Sequence, residues 1–151
     1  MQASEQHWCE MTLSFLHCPG DAGCVCLTYT FDIKTDKGAV YDASFTRNMG
    51  KLQGEAKIEE KGHKGACLDL RKGGYVSIDA EHFHNRPGPN LTIATWINLC
   101  ELTGTRTIFH TSGNKAGFNQ GQYILEVMDG FVRWLHTDPS GTVVFLVVSS
   151  E

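Results

Sequence analysis

The strongest constraint on the fold is a series of short segments in which apolar and polar residues alternate, separated by glycine-containing turns. Residues 66–70 read Ala-Cys-Leu-Asp-Leu and residues 75–78 read Tyr-Val-Ser-Ile, with a Gly-Gly pair just before the second segment. A repeat of two residues places alternate side chains on opposite faces of a strand, so that one face can be buried. Residues 62–78 are therefore predicted to form an antiparallel hairpin that turns at residues 71–74.

The same pattern recurs along most of the chain. Further strands are predicted at residues 25–33, 91–100, 105–110, 122–128, 131–137 and 142–149. In the first of these, Leu27, Tyr29 and Phe31 share one face. Asp129-Gly130 separates two strand patterns, and such a two-residue turn strongly indicates a hairpin. Residues 52–60 fit a strand or a short helix, and residues 40–45 a strand or a loop. Many short strands at turn spacing predict an all-β sandwich or jelly roll.

Size and charge exclude several classes of function. The 151 residues are enough for one domain with its own core. The formal net charge is −4, and acidic and basic residues are mixed along the chain, which argues against a nucleic-acid groove. The longest purely apolar run is Val143–Val148, far shorter than the ~20 residues that span a bilayer. Neither nucleic acid nor a membrane span is expected.

Six cysteines in a chain of this size indicate an oxidising compartment, and hence an extracellular location. Four of them lie in residues 1–26, which we interpret as a Cys-rich N-terminal segment preceding a β-sandwich at residues 27–151. The disulfide candidates are Cys9, Cys18, Cys24, Cys26, Cys67 and Cys100. Cys24 and Cys26 are too close to pair easily with each other, and their partners could be Cys9 and Cys18 in either arrangement. The sequence alone does not decide among the 15 pairings that six cysteines allow. Cys67 could pair with Cys100 across neighbouring strands. Reduced thiols, or a zinc site in the N-terminal segment, are the alternatives.

An ordered set of motifs within residues 29–148 resembles one family. It comprises Phe-x-x-Asn-x-Gly at residues 45–50, Gly-Gly-Tyr-Val at residues 73–76 and Leu-Thr-Ile-x-x-Trp-Ile at residues 91–97. In this order they resemble the laminin-G-like and pentraxin-like domains, which have the concanavalin A-like antiparallel jelly-roll fold. The resemblance implies a non-catalytic extracellular recognition or adhesion module. Such a module would bind a protein or glycan through loops at the rim of the sandwich.

The resemblance also implies further strands after the last one predicted here. The sandwich at residues 27–151 is therefore expected to be an incomplete part of a longer secreted or membrane-anchored protein. This expectation also fits the N-terminus, which lacks a secretory signal. Open strand edges, above all the uncharged Val143–Val148, predict self-association. A structural module that pairs with neighbouring domains is the alternative function.

Several residues are candidates for individual roles. Asn90 opens the Asn-x-Thr sequon and is a glycosylation candidate. Asp79 and Asp138 are calcium candidates by resemblance, since laminin-G-like modules often hold calcium at a loop rim; no other cofactor is expected. Asp138 also fits the turn Asp-Pro-Ser-Gly. His82 and His84 are spaced to share a face and bind a metal together, or are ordinary surface residues.

No catalytic residue is predicted, and the chain is expected not to be an enzyme. The alternative is a carbohydrate-active enzyme, which needs two carboxyl groups facing a sugar bond. Glu126 and Asp129 are the nearest approach to such a pair, but Asp129 falls in a turn. The aromatic residues Tyr75, Trp96, Phe109 and Trp134 are predicted to pack in the core of the sheets.

Overall fold

The chain forms an all-β structure of short antiparallel strands. The computed structural model describes residues 13–16, 25–33, 38–79, 83, 92–111, 122–138, 140 and 142–149. About half of these residues lie in antiparallel strands and none in an α-helix, which confirms the predicted all-β class. The predicted Cys-rich segment, residues 1–26, lies outside the described residues except for residues 13–16 and 25–26.

Two compact units divide the chain, residues 1–100 and residues 101–151. In the first unit the strands are β1 (Leu13–Leu16), β2 (Val25–Tyr29), β3 (Ala39–Val40), β4 (Gly50–Gln53), β5 (Lys57–Glu59), β6 (Cys67–Asp69), β7 (Tyr75–Ser77) and β8 (Thr92–Ala94). In the second unit they are β9 (Thr105–His110), β10 (Gln122–Met128), β11 (Phe131–Thr137) and β12 (Val143–Val148).

The second unit is one four-stranded antiparallel sheet in the order β12-β11-β10-β9. Met128 lies opposite Phe131, so Asp129 and Gly130 alone make the turn, with φ values of 50° and 88°. Two consecutive positive φ angles are what a type I′ hairpin turn requires, and its twist matches that of the strands. The predicted hairpin is therefore confirmed, together with β9 and β12.

In the first unit, residues 50–77 form one long interrupted hairpin instead of the predicted short one. β4 pairs with β7, opposing Leu52 to Val76, while β5 pairs with β6, opposing Ile58 to Leu68. The chain reverses at residues 62–65, where the Gly62 amide donates to the Gly65 carbonyl at 2.7 Å. The predicted pairing of residues 66–70 with residues 75–78 is wrong. Residues 70–74 instead form a local loop within the returning arm.

This interruption depends on a close approach of two backbone segments. Gly54 and Gly74 face each other with φ values of +62° and +112°. A Cβ on Gly74 would lie 2.4 Å from the Gln53 carbonyl oxygen and 2.5 Å from the Ala56 nitrogen. No other residue fits there without moving the backbone. Residues 52–60 are thus two strands separated by a turn, which settles the choice between strand and helix.

The core of the first unit centres on β2, where Leu27, Tyr29 and the following Phe31 are all buried. Their predicted location on one face is consistent with this shared burial. The Tyr29 ring lies over Gly50 of β4, where an added Cβ would come within 2.8 Å of the phenol oxygen. β2 pairs with β1, and β1 pairs with β8, in a second three-stranded sheet beside β3-β4-β7.

Two aromatic residues predicted in the core are instead exposed. The strand predicted at residues 91–100 is limited to β8, and Trp96 lies in the irregular segment after it, 62% exposed. Tyr75 begins β7 and is 60% exposed. The rings of Trp96 and His63 instead stack in a tilted arrangement, with centroids 4.7 Å apart. The prediction of core packing is therefore wrong for Trp96 and Tyr75, whereas Phe109 and Trp134 are partly buried.

Candidate functional site

The most unusual feature among the described residues is the loop at residues 42–49, between β3 and β4. Its residues alternate between buried and exposed without being part of a sheet ladder. The inner set, Asp42, Ser44, Thr46 and Asn48, is buried or half-buried, and the outer set, Ala43, Phe45, Arg47 and Met49, is exposed. We call these residues the 42–49 loop.

Asp42 organises the inner set and is fully buried. Its Oδ1 accepts from the backbone N–H groups of Thr28 at 2.8 Å and Ser44 at 2.9 Å. Its Oδ2 accepts from the Asn48 N–H at 2.6 Å, the Ser44 hydroxyl at 2.8 Å and the Thr46 hydroxyl at 3.3 Å. A buried carboxylate is costly unless it is hydrogen-bonded, and here both oxygens are satisfied. The carboxylate therefore ties the loop to β2.

Asn48 fixes the other end of the loop. Its backbone carbonyl oxygen accepts from the Tyr29 hydroxyl at 2.7 Å, and its side-chain amide donates to the Thr46 hydroxyl at 3.0 Å. Burial, and secondarily the negative charge of Asp42, raise the pKa of Tyr29, so its hydroxyl stays a donor. Arg47 adopts a φ of 54°, a conformation that costs a non-glycine residue energy and persists only where its surroundings hold it.

The outer set points away from this network. Phe45 is completely exposed, at 103% of its reference surface, and Met49, four residues further along the chain, is also exposed. Phe, Arg and Met are residue types enriched at protein–protein interfaces. Because the loop is already held in one conformation, a partner would not have to pay for ordering it. The loop therefore presents a partner with a fixed apolar surface at Phe45 and Met49 and with the positively charged side chain of Arg47.

A second polar cluster holds the long hairpin together. The Arg71 guanidinium donates to both carboxylate oxygens of buried Asp69, at 2.9 and 2.7 Å, and Lys57 on the paired strand lies 3.4 Å away. These hydrogen bonds, first of all those from the Arg71 side chain, hold the pKa of Asp69 well below its usual value. The cluster ties the 70–74 loop to β5 and β6.

The predicted pairing of Cys67 with Cys100 is not formed in the structure. Cys67 is a buried thiol on β6 and donates to the Lys61 carbonyl oxygen at 3.8 Å, whereas Cys100 is an exposed thiol after β8. β6 pairs with β5, whereas Cys100 lies in the irregular segment after β8, so the two cysteines are not on neighbouring strands. Cys9, Cys18 and Cys24 lie outside the described residues, as does the side chain of Cys26 on β2.

Of the calcium candidates, Asp138 has a clear local role. Its Oδ1 accepts from the amides of Ser140 and Thr142, both at 2.9 Å, which is the turn geometry that its sequence predicts. Asp79 is exposed, two residues beyond β7. Asn90, His82 and His84 lie outside the described residues. Among those that are described, no group of three or more His, Cys, Asp or Glu side chains could hold a metal ion.

The carboxyl groups weighed for glycoside hydrolysis are engaged within the sheet. Glu126 is buried on β10 and forms an ion pair with Arg133 of the neighbouring strand. Asp129 accepts from the Gly104 amide at 2.8 Å. His136 of β11 stacks on Tyr123 of β10, with ring centroids 4.4 Å apart. Each of these contacts supports packing of the sheet.

Comparison with protein-family models, with curated proteins and with solved structures finds no match to this chain. In the part of the chain that the structure describes, no helix is long and apolar enough to cross a membrane. The 42–49 loop was not identified from the sequence, which predicts only a strand or a loop at residues 40–45. Its signal is the alternation Asp-x-Ser-x-Thr-x-Asn, in which short polar side chains occupy every second position.

Proposed function

We propose that this chain is a non-catalytic extracellular recognition module, a jelly-roll sandwich of the laminin-G-like kind, that binds a protein partner through the 42–49 loop. The observation that carries the proposal is the complete exposure of Phe45 on a loop whose inner side chains are hydrogen-bonded to the core. The number of cysteines supports the extracellular setting. The all-β architecture of the described residues supports the proposed jelly-roll sandwich.

A protein is favoured over a glycan as the ligand because of the chemistry of the outer set. Sugar hydroxyls need several polar groups beside an aromatic ring, whereas the residues beside Phe45 in the outer set are Ala43, Arg47 and Met49. A phenyl ring that projects from a fixed loop fits an apolar pocket on a partner. Burying it there is worth about 2–3 kcal/mol, which corresponds to roughly 30- to 150-fold in affinity.

The experiment measures binding of the purified chain to a panel of immobilised extracellular and cell-surface proteins by surface plasmon resonance. The parallel variants are Phe45→Ala and Tyr75→Ala. We expect saturable binding to a panel member that falls roughly 30- to 150-fold in Phe45→Ala. Tyr75→Ala is the matched control, because Tyr75 is also an exposed aromatic residue but lies on a strand away from the loop in sequence. It should bind as the wild type does.

Two results would contradict the proposal. One is binding that is equally tight with and without the Phe45 ring. The other is saturable binding on a glycan array combined with no binding to any protein of the panel. Far-UV circular dichroism of Phe45→Ala checks that the variant is folded, which we expect because the ring buries no surface within the chain.

A further inference from the structure

The outer edge of β12 is apolar and uncharged. β12 pairs with β11 on one side, and it is the terminal strand of its sheet among the described strands. All six of its residues are Val, Phe or Leu. Val143, Val144, Leu146, Val147 and Val148 are each about half exposed. Since neighbouring residues point to opposite faces, the strand exposes apolar surface on both faces.

The opposite edge of the same sheet is different. β9 carries Arg106 and His110 among its six residues, and Arg106 donates to the Thr105 carbonyl at 3.1 Å. Charged side chains on an edge strand oppose pairing with another chain, and β9 has this protection. β12 has no such residue. The asymmetry marks β12 as the edge at which a further strand would be added.

The hydrogen-bonding direction of β12 fixes which residues would pair. The Ser149 N–H donates to the Val132 carbonyl at 2.9 Å, so the peptide groups of Ser149 point toward β11. Peptide groups alternate in direction along a strand, and the register with β11 is regular from Phe145 onward. The N–H and C=O groups of Leu146 and Val148 therefore point to the open edge.

We propose that a second copy of this chain adds its own β12 to this edge in antiparallel orientation. The two four-stranded sheets would then join into one sheet of eight strands about a two-fold axis. In an antiparallel ladder, residues with outward peptide groups pair with residues of the same kind. This condition, with the axis close to the middle of the strand, places Leu146 opposite the second copy's Leu146.

A second copy fits this edge better than a foreign strand for two reasons. A charged side chain on a foreign strand would lose hydration against this apolar edge without gaining an ion pair, whereas a second β12 brings no charge. The pairing that the peptide directions allow is also self-complementary, which an isologous two-fold interface requires. The proposal uses residues of β12 alone and none of the 42–49 loop, so its test is separate from that of the proposed function.

The experiment exploits the self-pairing of Leu146. Leu146→Lys and Leu146→Glu are made separately, and each is examined by sedimentation equilibrium, alone and in an equimolar mixture. Like charges directly opposite each other destabilise a strand pair, whereas opposite charges stabilise it. We expect a wild-type dimer, a dimer dissociation constant raised at least about tenfold in each variant alone, and recovery of the dimer in the mixture.

The matched control is Val132→Lys. Val132 has a similar exposure, 42% against 50% for Leu146, but lies on the inner strand β11. This variant should dimerise as the wild type does, and circular dichroism verifies that all variants are folded. A wild type that is monomeric at about 100 μM would overturn the proposal, as would Leu146 variants that remain dimeric. Failure of the mixture to recover the dimer would show non-specific apolar association instead of this register.

Discussion

Asp42→Ala tests whether one carboxylate holds the 42–49 loop. The wild-type side chain accepts from three backbone N–H groups, those of Thr28, Ser44 and Asn48. It also accepts from the Ser44 and Thr46 hydroxyls. The two hydroxyl oxygens lie 2.7 Å apart, so without the carboxylate one hydroxyl can donate to the other. The three backbone donors lose this acceptor.

The expected cost follows from those three donors. A buried donor that loses its acceptor costs about 1–3 kcal/mol, so three donors cost at most roughly 3–9 kcal/mol. Of the three, the hydrogen bond from Asn48 is buried and those from Thr28 and Ser44 are partly buried. Water entering the space vacated by the carboxylate recovers part of this, so we expect a loss near the lower end, about 3–5 kcal/mol. Asp42→Asn should cost less, because one oxygen is kept while the amide opposes the Asn48 N–H.

Urea unfolding followed by circular dichroism measures these free energies of unfolding. Glu55→Ala is the control, because Glu55 is exposed in the turn between β4 and β5 and its removal also deletes one negative charge. It should change stability by less than about 0.5 kcal/mol. If Asp42→Ala were no more destabilised than Glu55→Ala, the carboxylate would not be the organising group of the loop.

Two further predictions concern the long hairpin. In urea unfolding, Gly74→Ala should lower the free energy of unfolding by more than Gly73→Ala does. Both glycines have positive φ, but only at position 74 would the added Cβ collide with backbone atoms. Equal losses in the two variants would refute the close approach. The lowered pKa of Asp69 stabilises the fold fully above the unfolded-state value of about 3.9 and less as pH falls through the folded-state value. In Asp69→Asn, the free energy of unfolding should therefore fall less steeply than in the wild type as the pH is lowered below about 4. An equally steep fall in both proteins would contradict this prediction.

The sequence predicts best where the signal is local. The hairpin of β10 and β11 needs only Asp129 and Gly130, since their backbone freedom and the alternating strands on either side specify one register. The burial of Leu27 and Tyr29 follows from period-two alternation in the same way. In both cases, the residues that decide the structure are close in sequence.

Prediction fails where two turns compete. Residues 50–77 contain glycines at both the 62–65 and the 71–74 segments, and either could reverse the chain. The choice depends on which strands pair across the hairpin, and alternation of apolar and polar residues looks the same in both arrangements. The role of Asp42 was equally hidden. It depends on the Thr28 amide, which is 14 residues away and becomes a neighbour only after folding.

The pairing of β1 with β8 sets the order in which the first unit can assemble. Glu59 and Cys67 in the long hairpin are eight residues apart, whereas Ser14 and its partner Ala94 are separated by 80. Closing the larger loop costs about 2 kcal/mol more in chain entropy. The long hairpin should therefore form early and β1 should join β8 late. During synthesis β1 leaves the ribosome before β8, so it can pair with β8 only after the rest of the first unit has been made.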